Sequence, residues 1–253
     1  MVGAWQMNPK DLLKTAMLGL KALKTQDAGS KVFYYHDVHR NNDATTSMST
    51  PISLFEKHLE VLEKLGYHVV KTIENPSKEA MITFDDGFIG LYDNFDFFVK
   101  RQIPVTLFML SGRLGANKYL TKEQLVELHK SGLVQIGSHT VSHRNLDELT
   151  KAERLEEMKK SKETLENLLG VEVTSFCYPR GRFNESIALE AAKTGYKYQY
   201  SCLPGNYADE VYPGVKRRNF VQHASSVEFR AWALGGGMLF EDRFRKLHIR
   251  ESV

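Results

Sequence analysis

This sequence predicts a parallel α/β fold curled into a barrel, and three observations predict it. From Lys31 onward, short β-rich apolar runs alternate with helical patterns, as βα units do when they stack strands side by side. Seven or eight such runs occur, which is the strand number of a small barrel. With 253 residues and 42% hydrophobic content, the chain can bury one substantial core, and a single barrel accounts for that length.

The first element precedes the sheet. Leu12, Leu13, Ala16, Met17, Leu20 and Leu23 recur at helical spacing, with Lys10, Lys14, Lys21 and Lys24 elsewhere on the helix. This predicts an amphipathic helix in a segment 1–28, ahead of a main domain over 29–253. The helix has two candidate roles: packing against that domain, or docking on a membrane surface or a partner. The lysines and Asp11 interrupt any apolar run, so neither a secretory leader nor a spanning helix is expected. A cytoplasmic location follows as the expectation, with membrane attachment through the first helix left open. Oligomeric state has no signature in the sequence.

The expected strands are Val32 to His36, His68 to Val70, Ala80 to Phe84, Val105 to Leu110, Val134 to Ser138, Thr174 to Tyr178, Tyr198 to Ser201 and Lys216 to Val221. Between them, Ser53-x-x-Glu56, Thr121-x-x-Gln124 and Thr150-x-x-Glu153 match the reciprocal capping box that satisfies free N–H groups at a helix start. Gly66, Gly132 and Gly170 mark the stops. Leu54, Phe55, Leu59, Leu62 and Leu65 stripe one helix, while the longer one after Thr150 is expected to expose Glu156, Glu157, Lys159 and Lys160 to solvent. A further helix should span Ile89 to Arg101, and the polar stretch Asn41 to Pro51 reads as a loop over one end of the sheet.

Charge excludes one class of function. The 34 basic and 31 acidic residues are interspersed, so no strong field for nucleic acid is implied, and a neutral or weakly charged substrate fits at least as well. A weaker feature is the basic edge formed by Arg243, Arg245, Lys246 and Arg250, suited to an acidic glycan or partner. Two cysteines, Cys177 and Cys202, cannot make a disulfide framework and match no zinc-finger spacing, so both read as buried free thiols.

The chemistry lies at two strand ends. Ala80 to Phe84 delivers Asp85 and Asp86 at its C-terminal end, where parallel α/β folds place working groups, and Gly87 lets the chain turn there. Neighbouring strand residues face opposite ways, so only a turn brings both carboxylates to one site. After Val134 to Ser138 come His139 and His143, whose spacing shares one face if the segment makes a helical turn, with Ser138 and Ser142 placed to orient them. One carboxylate and two imidazoles leave a divalent ion with an open position, and a second carboxylate remains free to move a proton. Asp86, His139 and His143 are the candidate ligands, and Asp85 is the candidate base.

Thr83-Phe84-Asp85-Asp86-Gly87 and Ser138-His139-x-x-x-His143 resemble the first two motifs of the polysaccharide deacetylases, the carbohydrate esterases with a NodB-type domain. The resemblance covers roughly Lys31 to Val221. It implies a distorted (β/α)7 barrel and a metal site of Asp86, His139 and His143, holding one divalent ion, zinc first, with cobalt, nickel or another also open. It further implies Asp85 as base and removal of acetyl from an N-acetylated glycan. Phe176-Cys177-Tyr178-Pro179-Arg180-Gly181 resembles the third motif, but Cys177 stands where the family places an Arg that orients the base, and Arg180 stands where it places an aromatic. The turn of Tyr178, Pro179 and Arg180 would then offer substrate contacts and the Arg180 backbone N–H for an oxyanion.

The family's last motif carries a His that acts as general acid. His223 is the nearest C-terminal candidate, but Val32-Phe33-Tyr34-Tyr35-His36-Asp37 resembles the His-bearing strand of members in which it has moved to the front of the chain. First and last strands are neighbours in a barrel, so His36 would reach the same rim. Tyr207 and Trp232 are candidates to line a sugar groove. Three rival readings stay open: an O-acetyl esterase, a glycan-binding protein without turnover, and an iron oxygenase with a two-His, one-carboxylate triad.

Overall fold

The computed structural model describes residues 9–40, 43–44 and 46–249. In chain order its strands are β1 (Lys31–Tyr35), β2 (Asp37–His39), β3 (Ser49–Pro51), β4 (His68–Val69), β5 (Glu79–Asp86), β6 (Val105–Met109), β7 (Val134–Ser138), β8 (Ser175–Cys177), β9 (Tyr198–Tyr200), β10 (Val215–Lys216) and β11 (Asn219–Phe220). Its helices are α1 (Pro9–Thr25), α2 (Ile52–Lys64), α3 (Gly90–Asp93), α4 (Phe95–Arg101), α5 (Lys122–Lys130), α6 (Lys151–Leu169), α7 (Glu185–Lys193), α8 (Ser226–Ala233) and α9 (Glu241–His248).

The main sheet runs β10-β9-β8-β7-β6-β5-β1-β11, with β4 beside the start of β5, and every pairing is parallel. All strand C-termini therefore point to one mouth. The run Lys216 to Val221, expected as one strand, is two: β10 pairs with β9 and β11 with β1, and Arg217 and Arg218 join them across the barrel seam. The sheet closes there through the covalent chain rather than by a ladder.

Strand interiors explain the closure. β1 and β6 are buried along their whole length, so both faces carry large side chains. Phe33, Phe55, Phe84 and Phe98 pack between sheet and outer helices, while Val32, Met81, Phe108, Cys177 and Tyr200 fill the barrel interior.

Helix starts follow the expected chemistry with one exception. Thr121 and Thr150 form the reciprocal boxes with Gln124 and Glu153, and an unforeseen third box joins Ser225 to Glu228. Ser53 caps nothing: pairing of β3 with β2 holds the chain up to Pro51, so α2 starts at Ile52 and Glu56 pairs with Arg101. The helix expected over Ile89 to Arg101 is broken at Asn94, whose buried side chain donates to Gly90 O at 2.8 Å. The stretch Asn41 to Pro51 is not all loop, because β3 lies within it.

α1 forms, but not by the stripe that predicts it. Among its described side chains Leu18 and Ala22 are the buried apolar contacts, Thr25 Oγ1 donates to Leu234 O at 2.7 Å, and Lys14 pairs with Glu228 at 3.2 Å, while the Leu12 side chain lies outside the described residues. Leu13, Met17, Leu20 and Leu23 are exposed. Among the described residues no helix is long and apolar enough to cross a membrane.

Candidate active site

The strand-end carboxylates reach one cavity through an unusual backbone. Asp86, the last residue of β5, has φ 73° and Gly87 has φ 87°, and this left-handed pair breaks the alternation that would otherwise send Asp85 and Asp86 to opposite faces. A Cβ at Gly87 would also stand 2.1 Å from Met109 Sδ, so any larger residue there has to displace that buried side chain as well. Neither Asp caps the following helix, which begins at Gly90 without a side-chain cap.

The histidines also converge without the expected helical turn. Thr140 has φ 70° and His143 φ 64°, so a looped backbone brings the two rings to 5.0 Å between centroids. Ser138 and Ser142 do not orient them: Ser138 Oγ donates to Ser161 Oγ at 2.8 Å, and Ser142 Oγ binds Glu157. His139 is held instead by Cys177 O, 2.8 Å from its Nδ1, which fixes Nδ1 as the protonated nitrogen. The loop is tied from below by Glu157, whose Oε2 accepts the Val141 and Ser142 N–H groups at 2.9 Å each. Glu157 was expected to face solvent; the neighbouring Glu156, Lys159 and Lys160 do.

This leaves three unspent ligand atoms facing one another. His139 Nε2 and His143 Nε2 each stand 3.6 Å from Asp86 Oδ1, a buried oxygen with no hydrogen-bond partner among the described residues. Two ligands about 2.1 Å from one tetrahedral zinc stand roughly 3.4 Å apart. The donor set and spacing therefore fit a small divalent cation. His143 suits that role because burial, reinforced by His139, lowers its pKa to about 4 against the pull of Asp86, leaving the ring neutral near pH 7. A second trio of Asp85, His139 and Cys177 is as compact but poorer. A cation there would share Asp85 with a guanidinium and need a thiolate, while burial pushes the Cys177 thiol well up.

That guanidinium belongs to Arg218, fully buried at the seam between β10 and β11. Its Nη1 lies 2.7 Å from Asp85 Oδ1 and its Nη2 2.8 Å from Asp85 Oδ2, a bidentate pair, with Cys177 Sγ also 2.8 Å from Nη2. Ser201 O and Thr83 Oγ1 accept the remaining donors. Burial alone would raise the Asp85 pKa, but the charge and hydrogen bonds of Arg218 outweigh it and hold the carboxyl below the ordinary carboxylate range. The guanidinium that the third motif lacks at Cys177 thus reaches Asp85 from the link between β10 and β11.

The cavity holds about 360 Å³ and is lined by His36, Asp85, Asp86, His139, His143 and Arg180, among others. His36 Nδ1 lies 2.6 Å from Gln222 Oε1, and with the amide oxygen accepting, Nε2 is the free nitrogen. His223 faces outward and is exposed. Arg180 has φ 54° inside the turn Pro179–Gly181, and its side chain is exposed at the mouth. Pro179 is buried, and Tyr178 lines the cavity while its ring stacks on Phe183 at 4.3 Å and its hydroxyl is given to Gln199, so the phenol end serves the core. Tyr207 lies at the opposite mouth, its N–H bonded to Ser30 O below β1. Cys177 and Cys202 are buried free thiols. Arg250, expected in the basic edge, lies outside the described residues.

Comparison with known proteins places this arrangement. The polysaccharide deacetylase family model matches residues 72–199. YxkH of Bacillus subtilis (strain 168), assigned to the same family, is 32% identical over 185 residues, covering 69% of this chain and 64% of that protein. A poly-beta-1,6-N-acetyl-D-glucosamine N-deacetylase of Staphylococcus aureus (strain N315) is 28% identical over 159 residues, covering 57% of this chain and 54% of its own. The chain thus matches less than two-thirds of the length of either relative. Among solved structures, a polysaccharide deacetylase from Bacillus cereus superposes with TM-score 0.70 at 24% identity, over 81% of this chain and 69% of that one. The Streptococcus pyogenes deacetylase PplD in complex with acetate superposes with TM-score 0.68 at 23% identity, over 79% and 96%. Identities this low establish the parallel barrel with its surrounding helices, while the sequence matches carry the family. The chain belongs to the polysaccharide deacetylases.

Proposed function

We propose that this chain removes acetyl groups from N-acetylated sugars of a polysaccharide or glycan precursor, using one divalent ion, zinc first, held by Asp86, His139 and His143. One observation carries the reading: a buried, unpartnered carboxylate oxygen stands 3.6 Å from two imidazole nitrogens, beside a second carboxylate kept ionised by an arginine. When bound, such an ion supplies Lewis acidity, polarising an acyl oxygen and lowering the pKa of water.

The chain's own groups supply the rest. Asp85 accepts the proton of the attacking water. Its pairing with Arg218 makes it a weak base but a well-aimed one, so the acidity of the water matters more than the strength of the carboxylate. His36, its Nδ1–H committed to Gln222, acts as the imidazolium, giving its second proton from Nε2 to the departing nitrogen and returning to the neutral Nδ1–H ring. The Arg180 turn offers its backbone N–H to the developing oxyanion. The names of the relatives support an N-acetylglucosamine polymer as substrate, and the acetate in the streptococcal structure supports an acetyl product. The altered third motif favoured a binding protein without turnover; a guanidinium on Asp85 from Arg218 removes that motive.

Acetate release from N-acetylglucosamine oligomers and from O-acetylated glycans, by zinc-loaded, chelated and reloaded protein, tests the proposal. Metal-dependent release from the N-acetylated set is expected. Zinc-loaded protein that releases acetate only from O-acetyl esters, or none at all, refutes it.

A further inference from the structure

Beside the catalytic cavity runs a second groove of about 560 Å³, and the two share one wall, Phe220. The Phe220 ring stands between His36, 6.4 Å away on the catalytic side, and His223, 6.3 Å away on the groove side. Consecutive residues of α9 divide the same way: Leu247 lines the groove and His248 the catalytic cavity. Trp232 forms the inner wall, and the open sides are Leu13 and Met17 of α1 with Phe244 and Leu247 of α9.

This surface is expensive to leave in water. Leu13 is 63%, Met17 42% and Leu247 52% exposed, while α1 docks through the smaller face of Leu18 and Ala22. The helix thus turns Leu13 and Met17 outward, along a groove that shares its Phe220 wall with the catalytic cavity. Two cations mark its edge: Arg243, exposed on α9, and Lys14, paired with Glu228 at 3.2 Å.

We propose, resting on the deacetylase reading, that the groove holds the hydrocarbon chain of an amphiphilic substrate, an N-acetylated sugar joined to a lipid through an anionic linker. The sugar would enter the catalytic cavity past Phe220, and the linker would lie against Arg243 and Lys14. More sugar is a poor occupant, because carbon walls leave its hydroxyls without partners. A second protein has no reason to reach a space separated from the catalytic histidine by one ring. A lipid tail matches both the walls and the continuity.

The test is a series of alkyl 2-acetamido-2-deoxy-β-D-glucosides, methyl to decyl, each below its micelle concentration, with the zinc-loaded 253-residue chain. Calorimetry reads affinity and acetate release reads kcat/KM. Each methylene seated in the groove should tighten binding about 4-fold. Met17→Glu and Leu247→Glu should flatten that dependence and leave turnover of the methyl glycoside unchanged, with thermal melts confirming the fold. Decyl phosphate should bind as well, and more weakly to Arg243→Ala. Affinity independent of chain length, an unchanged slope in both variants, or a chain effect that appears only with vesicles would overturn the proposal. Acetate released equally from methyl and decyl glycosides would sink the groove and spare the deacetylase. Binding that climbs with chain length in a protein that releases no acetate from any of them would do the reverse.

Discussion

The inner wall of the catalytic cavity and its rim are one residue apart on β5, yet the fold satisfies the first and leaves the second open. At the wall, Asp85 spends both oxygens on a buried guanidinium, which in turn spends its other donors on Ser201 and Thr83. At the rim, Asp86 aims a buried oxygen at two imidazole nitrogens, each 3.6 Å away, and accepts a hydrogen bond from neither. The wall is a finished piece of structure, whereas the rim keeps an unpartnered oxygen that the proposed cation would take up. Functional capacity sits where hydrogen-bond bookkeeping fails to close.

Five measurements can break or sharpen that contrast. The largest effect is expected of Asp85→Asn, which removes the proposed base, worth ~10²–10⁴-fold in kcat. It also strands a buried Arg218, at a cost of about 3–5 kcal/mol seen in urea denaturation. Arg218→Met should destabilise by a similar ~3–5 kcal/mol through the orphaned Asp85. A loss under 1 kcal/mol would mean the wall is not the structural half.

His58 offers an imidazole of the finished kind. Its Nδ1 accepts the Tyr35 hydroxyl at 2.9 Å, its Nε2–H reaches Ala224 O at 2.7 Å, and burial lowers its pKa from 6.5 to about 4. The unfolded chain therefore takes up a proton between those values that the folded protein refuses. Stability is fully present above pH 6.5 and falls as pH drops toward 4, by about 3 kcal/mol from this residue. In chelated protein, His58→Gln should flatten that limb, and an unaltered pH slope would contradict the assignment.

Smaller effects belong to the rim. Glu157→Ala releases the two N–H groups that shape the histidine loop and should weaken zinc binding ~10-fold in a competition titration, with little change in the metal-free melt. Asp86→Asn should change the stability of chelated protein by less than ~1 kcal/mol, since no bond is lost. It should nonetheless abolish any rise in melting temperature on adding zinc. A strongly destabilised Asp86→Asn would show the rim to be structural after all.

Reading the sequence found the ends of the right strands because that information is local. An apolar run followed by Asp85-Asp86-Gly87, or by His139 and His143, announces itself within a few residues, as do the boxes at Thr121 and Thr150. Arg218 was hidden because its partner lies 133 residues away and it sits in what reads as one continuous strand. The signal was there in Lys216-Arg217-Arg218, three consecutive cations within an expected strand, which has to bend or find an anion. Glu157 was lost among the charges of α6, where pattern alone cannot separate a solvated carboxylate from one that holds a loop.

Local residue chemistry determined most of the order of strands and helices, the family motifs and the strand ends that carry Asp85, Asp86, His139 and His143, because periodicity, capping and strand-end placement act over one turn or one strand. Only tertiary packing decided which guanidinium steadies Asp85, which face of α1 is buried, and that the phenol end of Tyr178 serves the core. Those outcomes depend on which distant surfaces close the barrel seam, and a buried charge or an apolar stripe names its need for a partner without naming the partner.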